Sequence, residues 1–157
     1  MSKTEDGSPK ERSLAKGLIA GLIGGLAGTV AKTFAERMFP PHSDGRPHPS
    51  EQLADRMESL TPAQKDLAAE GIHWGFGATI GAAYGVLAEY YPAATAKEGA
   101  SFGMALEGLT QQGALPALGL ADEPEEQSTR ERASEMTSNI VFGISTELVR
   151  RLVRKML

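Results

Sequence analysis

KGLIAGLIGGLAGTVAKTFAERMFPP, Lys16 to Pro41, places five glycines in the twelve residues from Gly17 to Gly28. Each glycine weakens an exposed helix by about 1 kcal/mol relative to alanine. Yet Leu18, Ile19, Leu22, Ile23, Leu26 and Val30 recur among them at helical spacing. No charge interrupts the 15 residues from Gly17 to Ala31, which Lys16 and Lys32 bound. That run measures about 22 Å as helix, short of the roughly 30 Å hydrocarbon core of a bilayer. Lysine stems can snorkel to the headgroups, so the helix extends over 14–39 until Pro40–Pro41 ends it. Gly17, Gly21 and Gly25 stand four apart, as do Ala20, Gly24 and Gly28. Small residues at this spacing bring helix backbones together where lipid has removed the hydrophobic drive. The stretch therefore predicts a transmembrane helix with leucine and isoleucine toward lipid. A signal peptide would need an A-x-A-like cleavage site, which is missing. A buried soluble helix would need close partners on nearly every side.

The totals fit one domain of 157 residues with 18 glycines. Without cysteine there is no disulfide framework, no thiol nucleophile and no thiolate zinc site. A net charge of −4 without a basic, aromatic-interleaved stripe argues against nucleic acid. The mean hydropathy of −0.23 averages polar loops with apolar segments, so the local pattern decides.

Residues 1–13 are polar and read as a disordered cytoplasmic tail, followed by a single membrane domain over 14–157. Residues 40–69 form a polar loop with a short amphipathic helix, capped at Ser50, whose Leu53, Met57 and Leu60 share a face. Thr61, Pro62 and Gln64 make a second helix start, with a capping box. That helix leads into a second span, 70–91, in which Gly77, Gly81 and Gly85 form a stripe between His73 and Glu89. Trp74, Tyr90 and Tyr91 occupy interfacial positions, and Pro92 ends the helix. A third segment, 99–120, carries Gly99, Gly103, Glu107 and Gln111 on one stripe, and Pro116 should kink or end it. It is either a buried span or a re-entrant one. After a charged linker from Ala121 to Glu135, a fourth span, 136–155, sets Asn139, Gly143, Glu147 and Arg151 on one stripe. The expected fold is all-α: a membrane bundle of three to four glycine-rich transmembrane helices. Basic residues at both ends place both termini of this multi-pass membrane protein in the cytoplasm.

The order of these features resembles the YagU-like family of small bacterial inner-membrane proteins, described mainly as a domain of unknown function. The resemblance lies in Lys32, Glu36 and Pro40–Pro41, then His73, Tyr84, Ala88–Glu89 and Pro92. It continues through Pro116, Gly119–Leu120, Ser134–Glu135, Ser145, Glu147, Arg150–Arg151 and Arg154. Asn139 stands where the family pattern has histidine, and the loop between the first two spans is shorter and poorer in aromatics. The resemblance implies an inner-membrane location and a link to acid tolerance, without an assigned reaction.

Seven polar residues are candidates for function: Glu107, Glu147, His73, Lys32, Glu36, Glu89 and Arg151. A carboxylate inside a span is costly, so it faces a partner or water. Glu107 and Glu147 then serve either as proton-handling groups or as interhelical glue. In the glue reading, Glu107, with Gln111, hydrogen-bonds across helices and Glu147 pairs with Arg151 at i,i+4. Lys32 and Glu36 mark the end of the first span. Gly17, Gly21, Gly25, Gly77, Gly81 and Gly85 are the expected packing positions. His42, Asp44 and His48 lie in a proline-rich loop that offers a metal no fixed geometry. GLIGGLAG has neither a preceding strand nor a Walker lysine, so it is not a nucleotide loop. No nucleophile–base pair is legible; the expectation is a non-enzyme with no cofactor and no metal. Its expected partners are the bilayer and a second copy or another membrane protein. Three functional classes follow: a structural or accessory membrane protein linked to acid or envelope stress, a proton or ion conduit, and a holin-like pore former.

Overall fold

The computed structural model describes residues 12–41, 45–121 and 127–157. Among them every regular element is helical: α1 (Leu14–Met38), α2 (Pro49–Asp55), α3 (Pro62–Tyr90), α4 (Ala100–Leu109), α5 (Leu115–Ala117) and α6 (Thr129–Met156). A 3₁₀ segment, Pro92–Gly99, joins α3 to α4, and a π-turn, Thr110–Ala114, joins α4 to α5. Most of the expected tail 1–13 lies outside the described residues, as do His42 and Asp44 of the loop considered for a metal.

The long helices begin where side chains can take up their orphan N–H groups. Ser13 caps α1 by accepting from the Lys16 N–H. Thr61 with Gln64, and Ser128 with Glu131, form capping boxes at α3 and α6. The box at Ser128 starts α6 inside the charged segment expected to be a linker, a full turn and more ahead of the predicted start at 136. The short helix is also shifted. His48, not Ser50, is its N-cap, Pro49 takes the first position, and the helix ends at Asp55 before Met57 and Leu60. Pro at the first turn costs no hydrogen bond, so the His48–Pro49 pair outcompetes Ser50 as a start signal.

α1 lies between α3 and α6, and α4 packs along α6. The crossings are antiparallel, because Gly17 meets Gly85 while Gly25 meets Gly77, and Gly24 meets Arg150 while Gly28 meets Phe142. Gly99 and Gly103 likewise lie on Gly143 and Asn139. Tyr84 of α3 stacks on Phe102 of α4 at 4.1 Å between ring centroids, and Phe102 touches Phe142 of α6. The result is an up-down-up-down bundle that brings Lys16 and Leu157 together at one end.

The third segment is one helical rod rather than two. A proline at position 116 would drive its ring into the Gln112 carbonyl of an ideal α-helix. The π-turn, where the Leu115 N–H bonds to the Thr110 carbonyl, widens the helix ahead of that ring. The rod passes Pro116 and stops at Ala117.

The interior of the bundle mixes apolar side chains such as Tyr84, Leu106 and Phe142 with many polar ones. Its buried side chains include Thr29, Glu107, Asn139, Thr146, Glu147 and Arg150, beside small residues such as Ala20 and Ala88. Leu18, Ile19, Leu22, Ile23, Val30 and Phe34 of α1 are exposed, as are Leu148 and Leu152 of α6. Buried charge and exposed large apolar side chains are the two departures from the ordinary pattern that carry information. Among the described residues α1 is the one helix long and apolar enough to cross a membrane.

Candidate functional site

Where the first half of α6 meets the C-terminal half of α1, polar side chains meet across four elements. Lys32 pairs with Glu36 at 2.8 Å and donates to Ser138 Oγ of α6 at 2.9 Å. The two expected end-markers of the first span are therefore tied to the last helix. Ser138 in turn donates to Glu36 at 3.4 Å. His73 Nε2 lies 3.1 Å from Thr33 Oγ1, which joins α3 to α1. Its ring meets His48 edge-on at 5.1 Å and Trp74 at 5.9 Å. His48 lies outside the spans, and burial pushes its imidazole below the ordinary histidine range, with Glu36 opposing that shift. Its Nδ1 accepts from the Ser50 N–H and so serves as the α2 cap.

Glu107 is 2 % exposed, on the face of α4 against α6. Its partner is Asn139, whose amide donates to Glu107 Oε2 at 2.6 Å and to the Glu135 carbonyl at 3.1 Å. This is a bond across helices, as the glue reading expects, and it goes to α6 rather than to Gln111. Glu107 of α4 and Asn139 of α6 face each other because Gly103 lets the α6 backbone in, with Asn139 O 2.2 Å from where a Gly103 Cβ would stand. Gln111 instead lines a cavity of about 300 Å³ with Lys32, His48, Phe76, Leu115 and Asn139. Its Oε1 is buried there without a hydrogen-bond partner.

A second cluster occupies the other end of the bundle and centres on Glu147, 1 % exposed. The Tyr84 hydroxyl donates to Glu147 Oε2 at 2.8 Å. Arg150 grips both carboxylate oxygens, Nε to Oε2 at 2.7 Å and Nη2 to Oε1 at 2.9 Å. Arg151 adds the i,i+4 contact expected from the sequence and also holds Glu98. One turn further, Arg154 makes a two-pronged pair with Glu89 of α3, and the Ser13 N–H donates to the same carboxylate. Glu98 sits in a turn where Lys97, Glu98 and Gly99 all have positive φ, of 52°, 57° and 87°. Gly99 is required there twice over, since a Cβ would also stand 2.4 Å from the Gly143 carbonyl.

Between the clusters lie Phe142, Gly143 and the Tyr84–Phe102 stack. The seven candidate residues thus divide in two: Lys32, Glu36, His73 and Glu107 in one half, Glu89, Glu147 and Arg151 in the other. Sequence reasoning passed over Arg150, Arg154, Asn139 and Ser138 as site members. Arg150 was detectable as the i+3 neighbour of Glu147, one turn on the same face. Asn139 and Ser138 gave no such signal, because their partners are on other helices. Among the described residues no group of histidine and carboxylate ligands is placed to hold a metal.

No curated protein and no solved structure matches the chain. A family model does match, over residues 26–148, a stretch that holds both clusters up to Glu147 and all six of the candidate residues other than Arg151. The chain belongs to the family described as protein of unknown function (DUF1440).

Proposed function

We propose that this chain is a small multi-pass protein of the bacterial inner membrane with a structural or accessory role. The observation that carries the reading is the use of its buried and half-buried carboxylates. Glu36, Glu89, Glu107 and Glu147 each bond to a side chain on another helix. Such bonds act as glue where lipid supplies no hydrophobic drive between helices. A reading of three to four spans is supported by the exposed apolar side chains together with the lengths of α3 and α6, about 43 and 42 Å, and of the α4–α5 rod, about 27 Å. The YagU-like naming and a part in acid or envelope stress tolerance rest on the sequence resemblance. Carbonate washing of membranes tests the location: the protein should stay in the pellet, and release into the soluble fraction would overturn the reading.

A proton or ion conduit is the second reading, favoured by the buried Glu107 and by the Glu135 carboxylate one turn before Asn139. Against it stands the aromatic and glycine-packed layer between the two clusters. Glu107 separates the readings. Glu107→Gln keeps an acceptor for the Asn139 amide but cannot titrate, so glue predicts wild-type abundance and activity. Glu107→Leu removes the acceptor and should cost about 1–2 kcal/mol of bundle stability. A Gln variant that accumulates normally yet behaves as a deletion in acid survival would favour the conduit.

A further inference from the structure

At the end of the bundle where Lys16 meets Leu157, a cleft of about 430 Å³ opens between the start of α1 and the ends of α3 and α6. Arg12, Arg150, Arg151, Arg154 and Lys155 line it, with Glu89 as the one acidic wall residue among the described residues. Three carboxylates reach these cations: Glu147 for Arg150 and Arg151, Glu98 for Arg151, and Glu89 for Arg154. Among the described residues that sets five positive charges against three negative ones. Arg12 and Lys155 have no ion-pair partner among the described residues, and both are exposed at the rim. The paired arginines are held rigidly, so an anion entering the cleft meets donors already in place.

The surroundings of the cleft are apolar. Leu14, Leu18, Leu87, Leu148, Leu152 and Met156 are exposed at the same end of the bundle. Tyr90 and Tyr91, which precede the wall residue Pro92, are exposed at the level where amphipathic rings sit between lipid and water. A free anion would use only the basic part of this surface. A molecule with a negative head and hydrocarbon chains would use all of it.

We propose that this cleft binds the phosphate of an anionic phospholipid, with the acyl chains lying along the exposed leucines. The site rests on the membrane reading above. Basic pockets between transmembrane helices on the cytoplasmic side are suited to such headgroups, and each lysine or arginine near the surface adds roughly 1 kcal/mol of attraction. Arg12 and Lys155 supply the uncompensated charge, and Arg154 and Arg150 set the floor.

The test uses the full chain in a neutral detergent, with thermal unfolding followed through its single tryptophan. Dioctanoyl phosphatidylglycerol should raise the midpoint saturably, whereas dioctanoyl phosphatidylcholine and sodium phosphate at the same concentrations should not. Arg12→Gln combined with Lys155→Gln should leave the unliganded midpoint unchanged and weaken half-saturation about thirtyfold. Arg12→Gln alone should weaken it about fivefold. Equal shifts with phosphatidylcholine, saturation by phosphate alone, or unaltered binding by the double variant would each overturn the site. A protein that resists carbonate extraction but ignores phosphatidylglycerol would lose this site and keep its membrane assignment.

Discussion

Gly81→Leu is expected to abolish the folded bundle. A Cβ at position 81 would stand 2.4 Å from Gly25 Cα, 2.5 Å from the Gly21 carbonyl oxygen and 2.7 Å from the Gly25 nitrogen. All three are backbone atoms, so no side chain can swing aside and α1 and α3 must separate. The crossing is reciprocal, with a Gly21 Cβ 2.2 Å from the Gly81 oxygen and a Gly85 Cβ 2.2 Å from the Gly17 oxygen. Separation at one point therefore forfeits contact along the whole stripe. Overpacking an ordinary core costs about 1–3 kcal/mol because neighbouring side chains adjust; here that relief is closed. Thermal unfolding should lose its cooperative transition, and the cellular level of the protein should fall. Gly75→Leu is the matched control, since nothing lies within 4 Å of a Cβ at that position of the same helix. It should be as abundant as the parent, with a slight gain from helix propensity. Wild-type unfolding of Gly81→Leu would mean that α1 and α3 do not meet face to face along these glycines.

The glycine spacing was legible because it is local: a four-residue period survives in the sequence whatever the partner is. The caps at Thr61 and the proline stop after Tyr91 were legible for the same reason. What could not be read was pairing across helices. Glu107 had Gln111 as its obvious neighbour one turn away, but that contact competes with a planar amide across a glycine-thinned interface, and Asn139 wins. Pro116 reads as a kink or an end because a proline usually costs an α-helix a bond and a clash, and the helix does stop one residue later, at Ala117. The π-turn removes the clash, and a single chain's composition does not reveal that the helix will widen. The charged segment before the fourth helix looked like a linker by its polarity. Its capping box at Ser128 outweighs that polarity once the exposed first turns of α6 can stay in water.

Glu147→Leu is expected to be the most destabilising single change in the second cluster, by about 3–5 kcal/mol. The loss does not measure how much the ion pair stabilises. It measures an uncompensated charge, because Arg150, only 7 % exposed, would keep its guanidinium with no carboxylate to receive it. Arg151 would fare better, since Glu98 remains beside it. The Tyr84 hydroxyl, buried with its residue 1 % exposed, would also lose its acceptor. Arg150→Leu should cost less, as Glu147 would still receive Arg151 and Tyr84. The double variant Glu147→Leu with Arg150→Leu should recover a substantial part of the loss, because two apolar side chains in place of a buried pair are often tolerated. Tyr84→Phe alone should cost about 0.5–1.5 kcal/mol, the net worth of one hydrogen bond. Denaturant unfolding of the four variants in one detergent gives the coupling energy directly. If the double variant were no more stable than Glu147→Leu, the stranded arginine would not be the source of the loss. The Tyr84–Glu147 bond between α3 and α6 would then have to carry it, and Tyr84→Phe would be as damaging as Glu147→Leu.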